Sequence, residues 1–381
     1  MSTMAPRSRG KAKEKKGRGS LMVEKVPTDD EWARMAKFGS FTVSDDDDVL
    51  HQFPRGSTAT VLPSHCSPGE DTPSHDYWVA RIRDIRARVD EVGENEVWVR
   101  VQWYYGPSDV AGVLKSFNTK PCGKYERILS DHFDYVAPEA FNEVVNVHQL
   151  RDDDPEQPYI DRDSFYSRYE IERQARRLKP KPGTNSCVCA KPYNPDDPSE
   201  ASLMHFCPRP RCRKWYHRTC LVKQGSRETC TARSRSLRLI STSPDDDQPM
   251  SLSERIPMPP SKRTRHSHGG NGTTKSDDVD PTVASALDQV PDGLVLVSEQ
   301  PIVRGALYER GGVSGNVRAV VNARRLVYEA LAGKTTPSNW EELVLGAPGS
   351  ESSSTLDDTV VKIKGKRTNP SLLCPECSSA I

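Results

Sequence analysis

Seven cysteines and one histidine set the chemistry of this chain. Cys187 and Cys189, Cys207 and Cys212, then His217 and Cys220 follow in close pairs, and Cys374 and Cys377 close the series at the C-terminus. Thiolate and imidazole are the ligands of tetrahedral Zn²⁺, four to an ion. Eight ligands in short pairs therefore imply two closed, structural sites, without the open position that a catalytic zinc keeps. Residues 221–373 stand between the last pair and the rest, 153 positions, so a second site closes only if the chain end returns to the first half. The other cysteines are Cys66 and Cys122, read as ordinary thiols, and Cys230, a spare ligand.

The elements that must position these ligands are bounded by composition. Of 381 residues, 35% are hydrophobic and 28% charged, with a mean hydropathy of -0.70. That supports one or two modest cores with polar stretches between them. Thirty prolines with Ser, Gly and Asp clusters mark long linkers. There is no run of about 18 apolar residues, so no membrane span is expected, and the start lacks the apolar stretch of a secretory signal, which points to an intracellular chain. In a reducing compartment paired cysteines are metal ligands rather than disulfides. Net charge is +1, but residues 1–20 carry seven Lys or Arg against one Glu, an arm suited to nuclear import or to DNA phosphates. A solubilising tail is the plainer reading of the same run. Lys262–Arg265 and Lys362–Arg367 are weaker basic tracts, and Asp45–Asp48 is acidic.

Between 48 and 175 the pattern is that of strands. Val97, Val99, Val101, Trp103 and Tyr105 alternate with polar or opposite-facing residues, a period of two that predicts a strand with one buried face. Gly106-Pro107 ends it. Tyr77–Ile82 reads as a partner strand and 57–63 as another, so the domain is expected to be mainly β.

The words of this region resemble a BAH (bromo-adjacent homology) domain: Trp78-Val-Ala-Arg-Ile82, then Val99-Arg-Val-Gln-Trp-Tyr-Tyr-Gly-Pro107, Leu129-Ser-Asp-His-Phe-Asp134, and Phe165-Tyr-Ser-Arg168. The resemblance is closest to the BAH-PHD chromatin readers of fungi and plants. It implies a noncatalytic β-barrel-like module in which Trp78, Trp103 and Tyr105 form an aromatic cage for trimethyl-lysine, with His132 and Asp134 on the ligand backbone. Lysine 27 of histone H3 is the implied ligand. Trp78 departs from the family's usual Tyr. A quaternary ammonium donates no hydrogen bond and is held by ring faces; the same aromatics on a valine-bearing face also fit a packed core.

The second motif, Cys207-Pro-Arg-Pro-Arg-Cys-Arg-Lys-Trp-Tyr-His-Arg-Thr-Cys220, resembles a PHD finger. Its fourth ligand is Cys, where a RING finger has His. The resemblance implies alternating pairs: Cys187, Cys189, His217 and Cys220 on one zinc; Cys207, Cys212, Cys374 and Cys377 on the other. It also implies that Tyr193, Met204 and Trp215 form a cage for trimethylated lysine 4 of histone H3, the tail pairing with a finger strand. Ser186 and Pro208 depart from the family's aromatic and acidic positions, which puts reading of the neighbouring histone arginine in doubt; Asp196 and Asp197 could partly replace the acid.

The expected layout is a disordered basic and acidic N-terminal arm over 1–47, the BAH domain at 48–175, a linker at 176–184 and the first part of the finger at 185–223. A disordered insertion follows at 224–292, a helical insertion segment at 293–346, a linker at 347–370 and the closing part of the finger at 371–381. The helical expectation rests on Val317, Val320, Val321, Val327, Tyr328 and Leu331, which share one arc broken only by Arg324. That stripe is either core or a docking face for a partner. No nucleophile-base set, phosphate loop or open metal site stands out. The reading is a nuclear, non-enzymatic chromatin protein with two zinc ions, binding the histone H3 tail or nucleosome, in contact with chromatin-complex subunits or with DNA through the arm, and with no membrane. The rivals are a zinc-finger ubiquitin ligase and a scaffold or DNA-binding chromatin protein that reads no methyl-lysine.

Overall fold

A computed structural model describes residues 26–44, 48–64, 66, 72–89, 95–182, 187–224, 243–247, 287–363 and 372–381. The basic arm at 1–20, Ser186, Cys230, the tract at 262–268 and most of 224–292 lie outside the described residues. Two compact units emerge. The first takes the described residues up to Thr119 with Tyr125–His148 and Phe165–Pro180; the second takes Lys120–Lys124, Gln149–Ser164 and the described residues from Lys181 onward.

The first unit is built on an eight-stranded sheet. Its strands run in the order Arg177–Lys179, Glu170–Glu172, Ile128–Val136, Asn95–Tyr105, Trp78–Val89, Thr58–Val61 and Phe141–Val145, with Ala36–Phe38 also paired to Trp78–Val89. All pairings are antiparallel except Glu170–Glu172 against Ile128–Val136. The alternation along Asn95–Tyr105 divides two cores. Val99, Val101 and Trp103 pack with Ile82, Ile85, Phe53 and Phe141, while Trp98, one position out of phase, packs with Trp32 and Met35. Period two in the sequence becomes two-sided burial because both faces are covered.

Part of the expected arm is folded. Asp29–Arg34 is a helix whose Thr28 Oγ1 accepts from the Glu31 amide at 3.3 Å while the Glu31 carboxylate accepts from the Thr28 amide at 2.8 Å. Such a reciprocal cap satisfies two amides that a helix start leaves bare. Ser40–Ser44 and Leu50–Pro54 form a hairpin whose Phe41 and Phe53 stack at 5.0 Å. Trp32 buried against Trp98, Ala36–Phe38 paired with Trp78–Val89 and Phe41 in the core hold 29–44 to the sheet, so this stretch is not a disordered arm.

The second unit joins the cysteine-rich segment and the insertion in one core. Helices Asp292–Ser298 and Val317–Leu331 bury Leu294, Val297, Val320, Val321 and Val327 together with Trp215, Tyr216, Leu221 and Cys374. The apolar arc is therefore core, and no face of it is left for a partner. Arg324 interrupts the arc at 1% exposure because its guanidinium donates to the carbonyls of Ser298 and Gln300, each at 2.9 Å, satisfying a helix end that would otherwise be bare. The expected linker at 347–370 is also partly folded. Leu356–Thr359 is a helix, and Val361 and Ile363 are buried with Leu203 and Tyr308. Two stretches inside the expected BAH range, 120–124 and 149–164, belong to this unit: Asn194 donates to the Lys120 carbonyl, and Val313 to that of Ile160.

Candidate functional site

The first unit carries an open aromatic pocket of about 530 Å³, lined by Trp78, Trp103, Tyr104, Tyr105, His132 and Asp134 together with Ser108, Asp109, Gly112 and Val113. Strands Trp78–Val89, Asn95–Tyr105 and Ile128–Val136 are neighbours in the sheet, so three separate sequence words meet at one end. The rings of Trp78 and Trp103 stand at 83° with centroids 5.6 Å apart, two walls of a box. Trp78 is 40% exposed and Trp103 8%; the first presents part of its ring to solvent, while the second spans core and pocket. The Tyr105 hydroxyl lies 3.0 Å from His132 Nδ1, and Arg173 covers the Tyr105 ring at 5.7 Å.

The charges around His132 and Tyr105 are mixed, Arg173 on one side against Asp131 and Asp134 on the other. Burial lowers the His132 imidazole below its ordinary value and Arg173 lowers it further, against the opposing pull of Asp134 and Asp131. Burial likewise raises the Tyr105 phenol. At neutral pH the pocket thus holds a neutral imidazole and a neutral phenol beside the exposed Asp134. The helix Pro107–Val113 supplies the remaining wall and was missed in the sequence, where Gly106-Pro107 reads as a strand stop. The signal was present: Pro stands at the first helical position, and Asp109 accepts from the Gly106 amide at 3.0 Å, a helix start in both respects.

The second unit brings the eight metal-type ligands into two groups, Cys187, Cys189, His217 and Cys220, and Cys207, Cys212, Cys374 and Cys377, the ligand atoms of each group within 4.8 Å of one another. Cys207 and Cys377 sulfurs are 3.6 Å apart, Cys212 and Cys374 3.9 Å, and Cys189 Sγ lies 3.3 Å from His217 Nδ1. A zinc–sulfur bond of about 2.3 Å puts tetrahedral ligands about 3.8 Å apart, so both groups fit one ion each. The chain end is folded to do this: Cys374 donates its amide to Ser379 and Leu372 to Ile381, and Lys214 bridges to Glu376 at 2.6 Å. Hydrogen bonding to Cys207 and Cys374 holds the Cys377 thiol far below its usual range. Cys212, Cys374 and Cys377 together push Cys207 far above it. Four crowded sulfurs do not ionise together until a cation neutralises them.

Tyr193, Met204 and Trp215 also come together, at 1%, 0% and 2% exposure, but the space between them is filled. The guanidinium of Arg304 lies 4.0 Å over the Tyr193 ring and 4.2 Å over Trp215, with Nη2 3.7 Å from Met204 Sδ. The expected lysine cage of this segment is therefore closed, because an arginine from the insertion occupies it.

Residues 37–182 match the family model of the BAH domain. This segment is a BAH domain. The match reaches upstream of position 48, in keeping with the strands at 36–54, and ends before Cys187. A curated relative, chromatin remodeling protein SHL of Arabidopsis thaliana, is 30% identical over 149 residues, 39% of this chain and 59% of that protein. Among solved structures, the crystal structure of the yeast Rsc2 BAH domain aligns over 38% of this chain and 54% of that one, at 11% identity and a TM-score of 0.25, too low to bear on the fold. The chain spans little more than half the length of either. The open pocket lies wholly within the BAH domain, and both thiolate clusters lie outside it. Among the described residues, no helix is long and apolar enough to cross a membrane.

Proposed function

We propose that this chain is a non-enzymatic, nuclear chromatin reader that grips a methylated lysine of the histone H3 tail in the BAH pocket. The observation that carries the reading is the open box of Trp78 and Trp103, completed by Tyr105 and His132. Trimethylammonium has no N–H to offer, so hydrogen-bonding walls gain nothing from it, whereas perpendicular ring faces present their negative quadrupoles from two sides. Neutral His132 adds no repulsion, and Asp134, which lines the pocket, takes by resemblance the role of acceptor from the peptide backbone. The relative's printed name, a chromatin remodeling protein, agrees with this class of partner. Trimethylated lysine 27 is the favoured mark, following the resemblance in the sequence.

The donor sets fit zinc, which would be held by Cys187, Cys189, His217 and Cys220, and by Cys207, Cys212, Cys374 and Cys377. Bound there it supplies cross-linking, not reaction chemistry, since each set closes a tetrahedron. Purified full chain titrated with unmodified H3 peptides, and with peptides trimethylated at lysine 4, 9 or 27, tests the reading. Binding that depends on methylation at lysine 27, and that Trp78→Ala removes, supports it. Indifference to methylation, with a steep salt dependence, would point instead to a basic scaffold on nucleic acid.

A further inference from the structure

Arg304 sits between two aromatic faces in a site that the chain has built around it. Its strand, Val303–Arg304, pairs antiparallel with the edge of Met204–Cys207, Arg304 opposite Met204 and Val303 opposite His205, and the Phe206 amide donates to the Ile302 carbonyl at 3.0 Å. Both rings lie within 4.2 Å of the guanidinium, the spacing of a stacked cation. Asp152 accepts from its Nη1 at 2.6 Å, and the side chain is 1% exposed. The strand is also pinned from behind: Val303 donates to Asn316 Oδ1 at 2.9 Å, and Asn316 Nδ2 donates to the Pro301 and Thr359 carbonyls. Two glycines make the seating possible. Gly305 adopts φ +135° where a Cβ would press on Leu203, and a Cβ at Gly315 would lie 2.1 Å from the Val303 carbonyl.

We infer that Ile302–Arg304 is the resident occupant of this cation site: the cysteine-rich unit has an aromatic cage and an open strand edge, and the chain fills both with its own arginine and its own strand. An edge strand can accept one partner on a given side, and the ring faces that Arg304 covers at 4.0 and 4.2 Å are not open to a second cation at the same time. A methylated peptide could enter only by expelling Arg304 from Asp152 and unzipping the strand from Met204–Cys207. This goes beyond the BAH reading and does not depend on it. It makes the cysteine-rich unit a clasp that ties the insertion to the ligand-bearing segment, with its cage closed to a methylated lysine for as long as Arg304 occupies it.

The test uses the zinc-loaded full chain carrying Trp78→Ala, which silences the BAH pocket, and an H3 tail peptide trimethylated at lysine 4 beside its unmodified form. Hydrogen exchange over 301–305 and 203–207 is followed with and without saturating peptide, and binding is compared after adding Arg304→Ala. The inference expects slow exchange that the peptide does not change, no methyl preference with Arg304 present, and at least a tenfold preference for the methylated peptide once Arg304→Ala empties the cage. Deprotection of 301–305 by the peptide, rapid exchange there without it, or a folded two-zinc Arg304→Ala chain still blind to methylation would overturn it. Should Arg304→Ala lose its zinc, the exchange of the arginine-bearing chain decides alone.

Discussion

Trp78 and Trp103 form one corner of a box but carry different risks when removed. Trp78 is 40% exposed, so Trp78→Ala costs little stability, and loss of its cation–π contact of up to about 2 kcal/mol is expected to weaken methyl-lysine binding by about tenfold or more. Trp103, at 8% exposure, belongs to the core with Val99 and Val101; Trp103→Ala is expected to cost about 3–5 kcal/mol, readable in a denaturant melt, and confounds fold with binding. His132 gives the pocket a pH signature. Its folded pKa is lowered by burial and Arg173, so the neutral form dominates above the ordinary histidine range and protonation is resisted as pH falls below it. Protonation places a cation beside the ligand's cation, and affinity is expected to fall from pH 7.5 toward 5. His132→Asn is expected to flatten that profile; an unchanged slope would remove His132 from the pocket's electrostatics. The Arg168 and Glu126 pair, 2.6 Å apart at 3% and 0% side-chain exposure, has a structural role. Glu126 also accepts from the Tyr166 hydroxyl, and Glu126→Ala is expected to lose about 3–5 kcal/mol by leaving a buried guanidinium unpaired, measured by urea unfolding.

Elements with a strong internal period were legible in the sequence. The strand read from the alternation of Val97 to Tyr105 appears at Asn95–Tyr105, and the helix read from the arc of Val317 to Leu331 appears at Val317–Leu331, because each period is set by residues close together in the chain. What stayed hidden depends on distant partners. The helix Asp29–Arg34 is six residues long and mostly charged, and only Trp32 meeting Trp98 reveals why it is held. Val361 and Ile363 sit in a polar stretch whose burial is set by Tyr308 and Leu203. Arg324 looked like a break in an apolar stripe and is instead the donor to the carbonyls of Ser298 and Gln300, at and just past the end of a neighbouring helix. The pocket's three sequence words were legible as residues; the helical wall at 107–113 was not, since Gly-Pro signals a strand's end as well as a helix's start.

At the scale of the molecule, two units divide the work. Among the described residues the BAH domain holds an open pocket and no thiolate cluster, while the second unit holds both clusters and a filled cage. The ligand pairs were legible from spacing, but the return of Cys374 and Cys377 across 153 positions rests on helices Asp292–Ser298 and Val317–Leu331, which share their core with Trp215 and Cys374. Chelation by EDTA is expected to unfold the cysteine-rich unit, because four sulfurs 3.6–3.9 Å apart repel without a cation. Zinc release measured with a chromogenic dye should reach two ions per chain; Cys377→Ser should lower it to one if the clusters load separately.

Whether the BAH pocket grips a methylated histone lysine is decided by calorimetric titration of the full chain and its Trp78→Ala variant with H3 peptides, unmodified and trimethylated at lysine 27. A reading pocket binds the methylated peptide at least tenfold more tightly, a preference that Trp78→Ala abolishes in a chain that melts as before. Equal affinity for both peptides, or methyl-dependent binding untouched by Trp78→Ala, would contradict it.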